Sequence, residues 1–286
     1  MSDDRPGGSP DPQQPARSFG AVADAYDRGR PSYPAEAVEW LMAGEARIVL
    51  ELGAGTGKLT RELVDQGHAV FATEPDEAML EVLRTRVPEV SAKVAGAEEI
   101  PANDHSVDVV VAAQSFHWFD HDRALPEMAR VLRAGGHVAL VWNFFDRRIP
   151  WVRRLVDLIG EHSASSGPSH QVLDESDLFE PVERESFAHW QDVTRDTLVD
   201  IVASRSYVAS LPEDEREERL DAVRALYDEY GRGHDGMQLP YVVDCFRARV
   251  RDQRMDGDAH PEDDASQQRP AVSDGTDTDM LLIDFR

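Results

Sequence analysis

The 286-residue chain carries 55 Asp and Glu against 30 Lys and Arg, a formal net charge of −25, which argues against a broad electrostatic footprint for nucleic acid or an anionic membrane surface. Its single cysteine, Cys245, excludes an internal disulfide and a cysteine-based zinc site, so no metal is expected. The polar N-terminus lacks the apolar core of a signal peptide and no apolar run reaches membrane-spanning length, so the expectation is a cytoplasmic protein, a monomer or homodimer.

Residues 1–17 are rich in Pro, Gly, Asp and Gln without periodicity and read as a disordered leader. One α/β domain is expected over residues 18–250, and residues 251–286 as an acidic, disordered tail with an apolar ending, Met280 to Phe285. Within the domain, aromatic residues Phe19, Tyr26 and Tyr33 surround a short helical stretch, and a helix follows over residues 35–44. Ile48 to Leu52 is apolar apart from Glu51, the pattern of a buried parallel strand. It runs straight into Gly53-Ala-Gly-Thr-Gly57 and then into a helical pattern beginning at Lys58. Such a loop lets a ligand approach the main chain while the helix presents its free N–H groups. The residues fail two common templates: Lys58 occupies the last glycine of a dinucleotide fingerprint, and Leu52 stands where a P-loop needs its first glycine.

What remains is an acidic residue followed by G-x-G-x-G. Glu51-Leu-Gly-Ala-Gly-Thr-Gly57 resembles motif I of the class I S-adenosylmethionine (SAM) dependent methyltransferases. The resemblance implies a doubly wound, Rossmann-like, seven-stranded sheet with its last strand antiparallel, and SAM as cofactor. It also implies that Glu51, Gly53, Ala54, Gly55 and Gly57 hold the methionine portion, and that the segment carrying Tyr26 and Tyr33 folds over the cofactor or packs on the sheet edge.

Downstream, Ala69 to Glu74 reads as a second buried strand ending in a carboxylate. An acidic residue about 20 positions after the glycine loop suits both hydroxyls of a ribose, which makes Glu74 the ribose candidate. Asp76 reads as the N-cap of a helix over residues 77–86. A third strand is expected at 91–95, followed by Gly96-Ala-Glu-Glu, where the resemblance implies that the Ala97 N–H and Glu98 read the adenine edge. Val107 to Ala113 is a β-branched run and reads as a central strand that delivers Gln114-Ser-Phe-His-Trp-Phe-Asp120 to the ligand edge of the sheet. That run resembles the segment of a subgroup that includes trans-aconitate methyltransferase-like proteins. Gln114 to Trp118 then face the reacting methyl, and Gln114 also counts among the cofactor contacts. His117 has three open roles: a general base for a hydroxyl acceptor, a specificity residue, or a buried histidine with a satisfied partner.

A helix over 125–132, a strand over 137–142 and a helix over 149–162 come next. A strand over 183–190, two or three helices over 194–231 read as an insertion or lid, and a last strand over 241–250 complete the domain. Arg147 and Arg205 are the candidate carboxylate clamps. The expected activity is methyl transfer to a small molecule through a carboxylate or hydroxyl, with no nucleic-acid substrate; the alternative is a SAM-binding regulatory or scaffolding protein without turnover.

Overall fold

The structure, a computed structural model, describes residues 30–45, 47–159, 170–231 and 236–251. The leader, Tyr26 and the tail beyond residue 251 lie outside the described residues. In chain order the elements are α1 (Ala35–Leu41), β1 (Ile48–Leu52), α2 (Lys58–Asp65), β2 (Ala69–Thr73), α3 (Glu77–Arg86), β3 (Ser91–Lys93) and β4 (Val107–Ala113). A short 3₁₀ turn (Phe116–Trp118), α4 (His121–Val131), β5 (Leu132–Phe145), α5 (Pro150–Ile159) and α6 (Gln171–Asp174) follow. The chain then forms β6 (Glu183–Val193), α7 (Arg195–Ala203), α8 (Ser206–Ala209), α9 (Glu213–Tyr230) and β7 (Met237–Arg249).

The strands form one seven-stranded sheet in the order β3-β2-β1-β4-β5-β7-β6. β1 to β5 are mutually parallel, and β7 is antiparallel to both β5 and β6. This is the doubly wound layout with an antiparallel last strand that the sequence pattern predicts. The order reverses beside β1, so the C-terminal ends of β1 and β4 open a crevice at the switch point.

Two apolar cores cover the two faces of the sheet. One includes Leu50, Leu52, Val110, Phe116, Met128 and Trp142; the other includes Val49, Leu59, Leu63, Leu80, Val109 and Val141. The alternation of consecutive β1 residues between the two clusters is the signature of a strand buried on both sides. Asp76 caps α3 as expected, its carboxylate accepting from the N–H groups of Ala78 (2.8 Å) and Met79 (3.2 Å).

Boundaries depart from the sequence reading where pairing overrides local pattern. β3 is three residues long, ending at Lys93. β5 begins at Leu132, because Val107 pairs with Leu132 and Val109 with His137, and Arg133–Gly136 bulge between them. β7 begins four residues before the expected Tyr241. Pro240 lacks the N–H of an ordinary strand residue, which argues for a boundary there, yet β6 pairs with β7 back to Met237.

A third core lies on the extension of β5, β7 and β6. It joins Phe145, Leu155 and Ile159 to Leu198, Ile201, Val223 and Tyr241, so the expected insertion over 194–231 is a three-helix layer with its own apolar interior. Thr194 starts it with a capping box made with Thr197. Truncating the fully buried Leu198 to Ala should cost about 2–5 kcal/mol, and chemical denaturation of the variant checks it; a cost near zero would show that this layer does not contribute to cooperative unfolding.

Candidate functional site

The site grows from the end of β1. Gly53, Gly55 and Gly57 all adopt the left-handed backbone (φ +66, +57 and +87), but their surroundings differ. A Cβ at Gly53 would lie 2.6 Å from that of Ser115, whose hydroxyl donates to the Leu52 carbonyl at 2.8 Å, so this glycine lets the segment after β4 close on the loop. A Cβ at Gly57 would lie 3.0 Å from Leu83, so this one lets α2 and α3 pack. At Gly55 the nearest such contact is the Met79 sulfur at 3.9 Å. That is ordinary contact, so Gly55 is the least crowded of the three glycines.

Two buried carboxylates brace the loop. Glu74 is 6% exposed; one oxygen accepts from the Gly55 N–H (2.9 Å) and the other from the Asp76 N–H (3.0 Å). Burial raises its pKa against the opposing effect of those two N–H groups. Glu51, 1% exposed, accepts from the Thr60 hydroxyl at 2.6 Å, and burial, reinforced by the nearby Glu74, pushes its pKa up to about 8. Glu51 is thus largely protonated at neutral pH.

A cleft opens here. Its floor is Glu51, Gly53, Ala54, Gly55, Thr56, Lys58 and Leu59; Ala113, Gln114 and Asn143 form one wall, and Arg30, Pro31 and Tyr33, from the segment before α1, form another. Gln114 takes a positive φ of 58° without being glycine, an uncommon conformation held in place by its N–H bonding the Val141 carbonyl (3.0 Å) and its Nε2 bonding the Asn143 carbonyl (3.2 Å). Asn143 donates from Nδ2 to the Ser32 carbonyl at 3.3 Å, tying that segment to the end of β5.

Of the sequence candidates, Glu51, Gly53, Ala54, Gly55, Gln114 and Tyr33 therefore line one cleft. Glu74 stands behind the loop and holds it; Gly57 packs against α3. Ala97 is buried in the core, and Glu98 accepts from the Asp120 N–H (2.9 Å) at the start of α4. His117 packs against Trp118 with ring centroids 4.8 Å apart and planes tilted by 42°, and its Nδ1 is enclosed without a hydrogen-bond partner among the described residues. Burial, followed by the charges of Arg30 and His121, lowers its pKa to about 4, so the ring is neutral at pH 7. Arg147 is exposed, whereas Arg205 is buried in the helical layer with its guanidinium 4.5 Å from the Phe145 ring centroid. The sequence reading missed Arg30, Thr56 and Asn143. Asn143 carries a faint signal, as the one polar residue inside the apolar run Val138 to Phe145.

Comparison with known proteins now bears on this geometry. Residues 50–140 match the methyltransferase domain family. An uncharacterized methyltransferase of Mycobacterium tuberculosis is 46% identical over 235 residues, covering 82% of this chain and 96% of the relative. The chain belongs to the class I methyltransferase family. A malonyl-[acyl-carrier protein] O-methyltransferase of Methylococcus capsulatus is 37% identical to this methyltransferase over 134 residues, covering 43% of this chain and 48% of that one. Among solved structures, a protein of Anaeromyxobacter dehalogenans provisionally described as a type II methyltransferase superposes with a TM-score of 0.57 at 27% identity, covering 77% of this methyltransferase and 97% of that chain. Among the described residues no helix is long and apolar enough to cross a membrane, and no group of three or more His, Cys, Asp or Glu is placed to hold a metal ion.

The two shifted groups in this site act on stability with opposite sign. Glu51 titrates near 8 when folded and near 4.5 in the ordinary case, so the folded state binds the extra proton and stability falls as pH rises between those values. His117 titrates near 4 against an ordinary 6.5, so its contribution is present above 6.5 and lost as pH falls below it. Between pH 6.5 and 8 Glu51 alone of the pair titrates. Denaturation midpoints should decline with pH across that window in the parent and decline less in Glu51→Gln; parallel pH curves would refute the buried, protonated carboxyl.

Proposed function

We propose that the cleft binds S-adenosylmethionine and that the chain transfers its methyl group to a small-molecule acceptor. The observation that carries this reading is the glycine loop joined to the end of β2 by the Glu74 bond to the Gly55 N–H, with Gly53 to Thr56 lining the cleft. The residues fit the cofactor. The cleft-lining Gly53, Ala54, Gly55 and Glu51 suit its amino-acid portion, and Glu74, at the end of β2, has acceptor capacity beyond its two backbone bonds for ribose hydroxyls. Ala97 and Glu98 remain the adenine candidates, with Glu98 shared with the Asp120 N–H.

The cofactor supplies a methyl group on a cationic sulfur, so the protein's task is to position the acceptor and exclude water. Gln114, fixed by its two bonds to β5, and Trp118 shape the acceptor side. The state of His117 bears on the acceptor's chemistry. A neutral imidazole with a pKa near 4 is a poor general base for a hydroxyl at neutral pH, whereas a carboxylate is already ionised and needs none. The similarity to a malonyl-[acyl-carrier protein] O-methyltransferase agrees with an acidic acceptor. Net charge −25 argues against a nucleic-acid acceptor.

Calorimetric titration with SAM and S-adenosylhomocysteine tests the reading: micromolar binding of both is expected, and no binding of either would overturn it. Glu74→Ala should weaken binding by about 1.5–3 kcal/mol, roughly ten- to a hundredfold, through loss of charge-assisted bonds. An unchanged affinity in that variant would remove Glu74 from the ribose role.

A further inference from the structure

Asn143 sits near the end of β5, 5% exposed, and lines the cleft. Of its four polar groups, the three besides Oδ1 can be followed to partners or register positions. Nδ2 donates to Ser32, the main-chain oxygen accepts from Gln114, and the residue pairs with Val243 across the β5–β7 ladder. Its Oδ1 is buried and has no hydrogen-bond partner among the described residues. Turning the amide over would set Oδ1 against the Ser32 carbonyl, two acceptors facing each other, so Ser32 fixes the orientation with Oδ1 left over. A buried acceptor without a donor is costly, and such atoms in a native site call for a ligand or another explanation.

The cleft indicates the kind of donor. Besides Asn143 it presents Glu51, a second buried acceptor, and the cationic side chains Arg30 and Lys58. Acceptors and cations lining one small cleft match a zwitterion: a carboxylate for the cations and an ammonium for the acceptors. A ligand carrying only a carboxylate would leave Oδ1 as it is.

We propose that Asn143 is a specificity residue of this cleft, accepting a hydrogen bond through Oδ1 from the ammonium group at the amino-acid end of the cofactor. The inference rests on the SAM reading above and adds a contact from β5, a strand outside the glycine-loop motif. Through Ser32, the same side chain holds the segment before α1 against the cleft, so ammonium recognition and closure of that wall share one residue.

The test compares two ligands that differ in one group: S-adenosylhomocysteine and its analogue 5′-(3-carboxypropylthio)-5′-deoxyadenosine, which lacks only the amino group. Calorimetry gives the ratio of their affinities for the parent, Asn143→Leu and Asn143→Asp, with thermal melting to confirm folding. The parent should prefer S-adenosylhomocysteine, Asn143→Leu should lose about tenfold of that preference, and Asn143→Asp, which keeps an oxygen and adds charge, should raise it. Loosening of the Ser32 segment affects both ligands equally and cancels in the ratio. A preference unchanged in Asn143→Leu, or absent in the parent, overturns the proposal, as does an equal loss for both ligands, which assigns Asn143 a structural role. If Asn143→Leu does not fold, Asn143→Asp decides alone: a preference that does not rise refutes the contact. Absence of S-adenosylhomocysteine binding by the parent is a separate result, which removes the cofactor reading and this inference with it.

Discussion

The bond from the Gly55 N–H to the buried Glu74 carboxylate is the constraint on which the rest of the site depends. It fastens the turn after β1 to the end of β2, while the Ala54 N–H bonds the Thr73 carbonyl at 3.0 Å beside it. The loop can take this path because three glycines accept positive φ: Gly53 admits Ser115 and Gly57 admits Leu83, while Gly55 meets only the Met79 sulfur at ordinary contact distance. The motif is therefore a packing solution at Gly53 and Gly57, and its stretch from Gly53 to Thr56 lines the cleft.

The second constraint is burial of charge-bearing groups without full compensation. Glu74 lies close enough to disfavour ionisation of Glu51, with burial the larger cause. His117 is held neutral a short distance along the same sheet edge, and Asn143 retains an open acceptor. Perturbed and unsatisfied groups gathered at one edge mark a functional site better than any of them does alone. The helical layer over α7 to α9 contributes differently. Packed on the extensions of β5, β7 and β6, it closes that end of the sheet with its own core, and it carries Arg205 rather than the exposed Arg147 as a buried cation.

Much of this was legible in the chain. The glycine loop, the apolar runs of β1, β2 and β4, the acidic residue ending β2 and the Asp76 cap all express local rules: side-chain periodicity, positive φ and capping by a short carboxylate. Such rules act within a few residues, so a linear reading captures them. The strand ends were less legible, because β3 stops and β7 starts where neighbours cease or begin to pair, not where composition changes; Pro240 lies inside a strand that its own residue type argues against.

The sequence by itself carried the fold class, the family resemblance and the glycine loop, and it singled out Glu51, Gly55, Glu74 and Gln114, since these lie in or beside contiguous motifs. Only the tertiary structure decided that close neighbours require Gly53 and Gly57, that Glu74 supports the loop from behind, that His117 is neutral, and that Asn143 and Arg30 join the cleft. Those facts depend on burial and on contacts between strands and segments tens of residues apart, such as the bond from Asn143 to Ser32, 111 positions away. No periodicity records such a contact, because its energy comes from desolvation and geometry that exist only once the chain has folded.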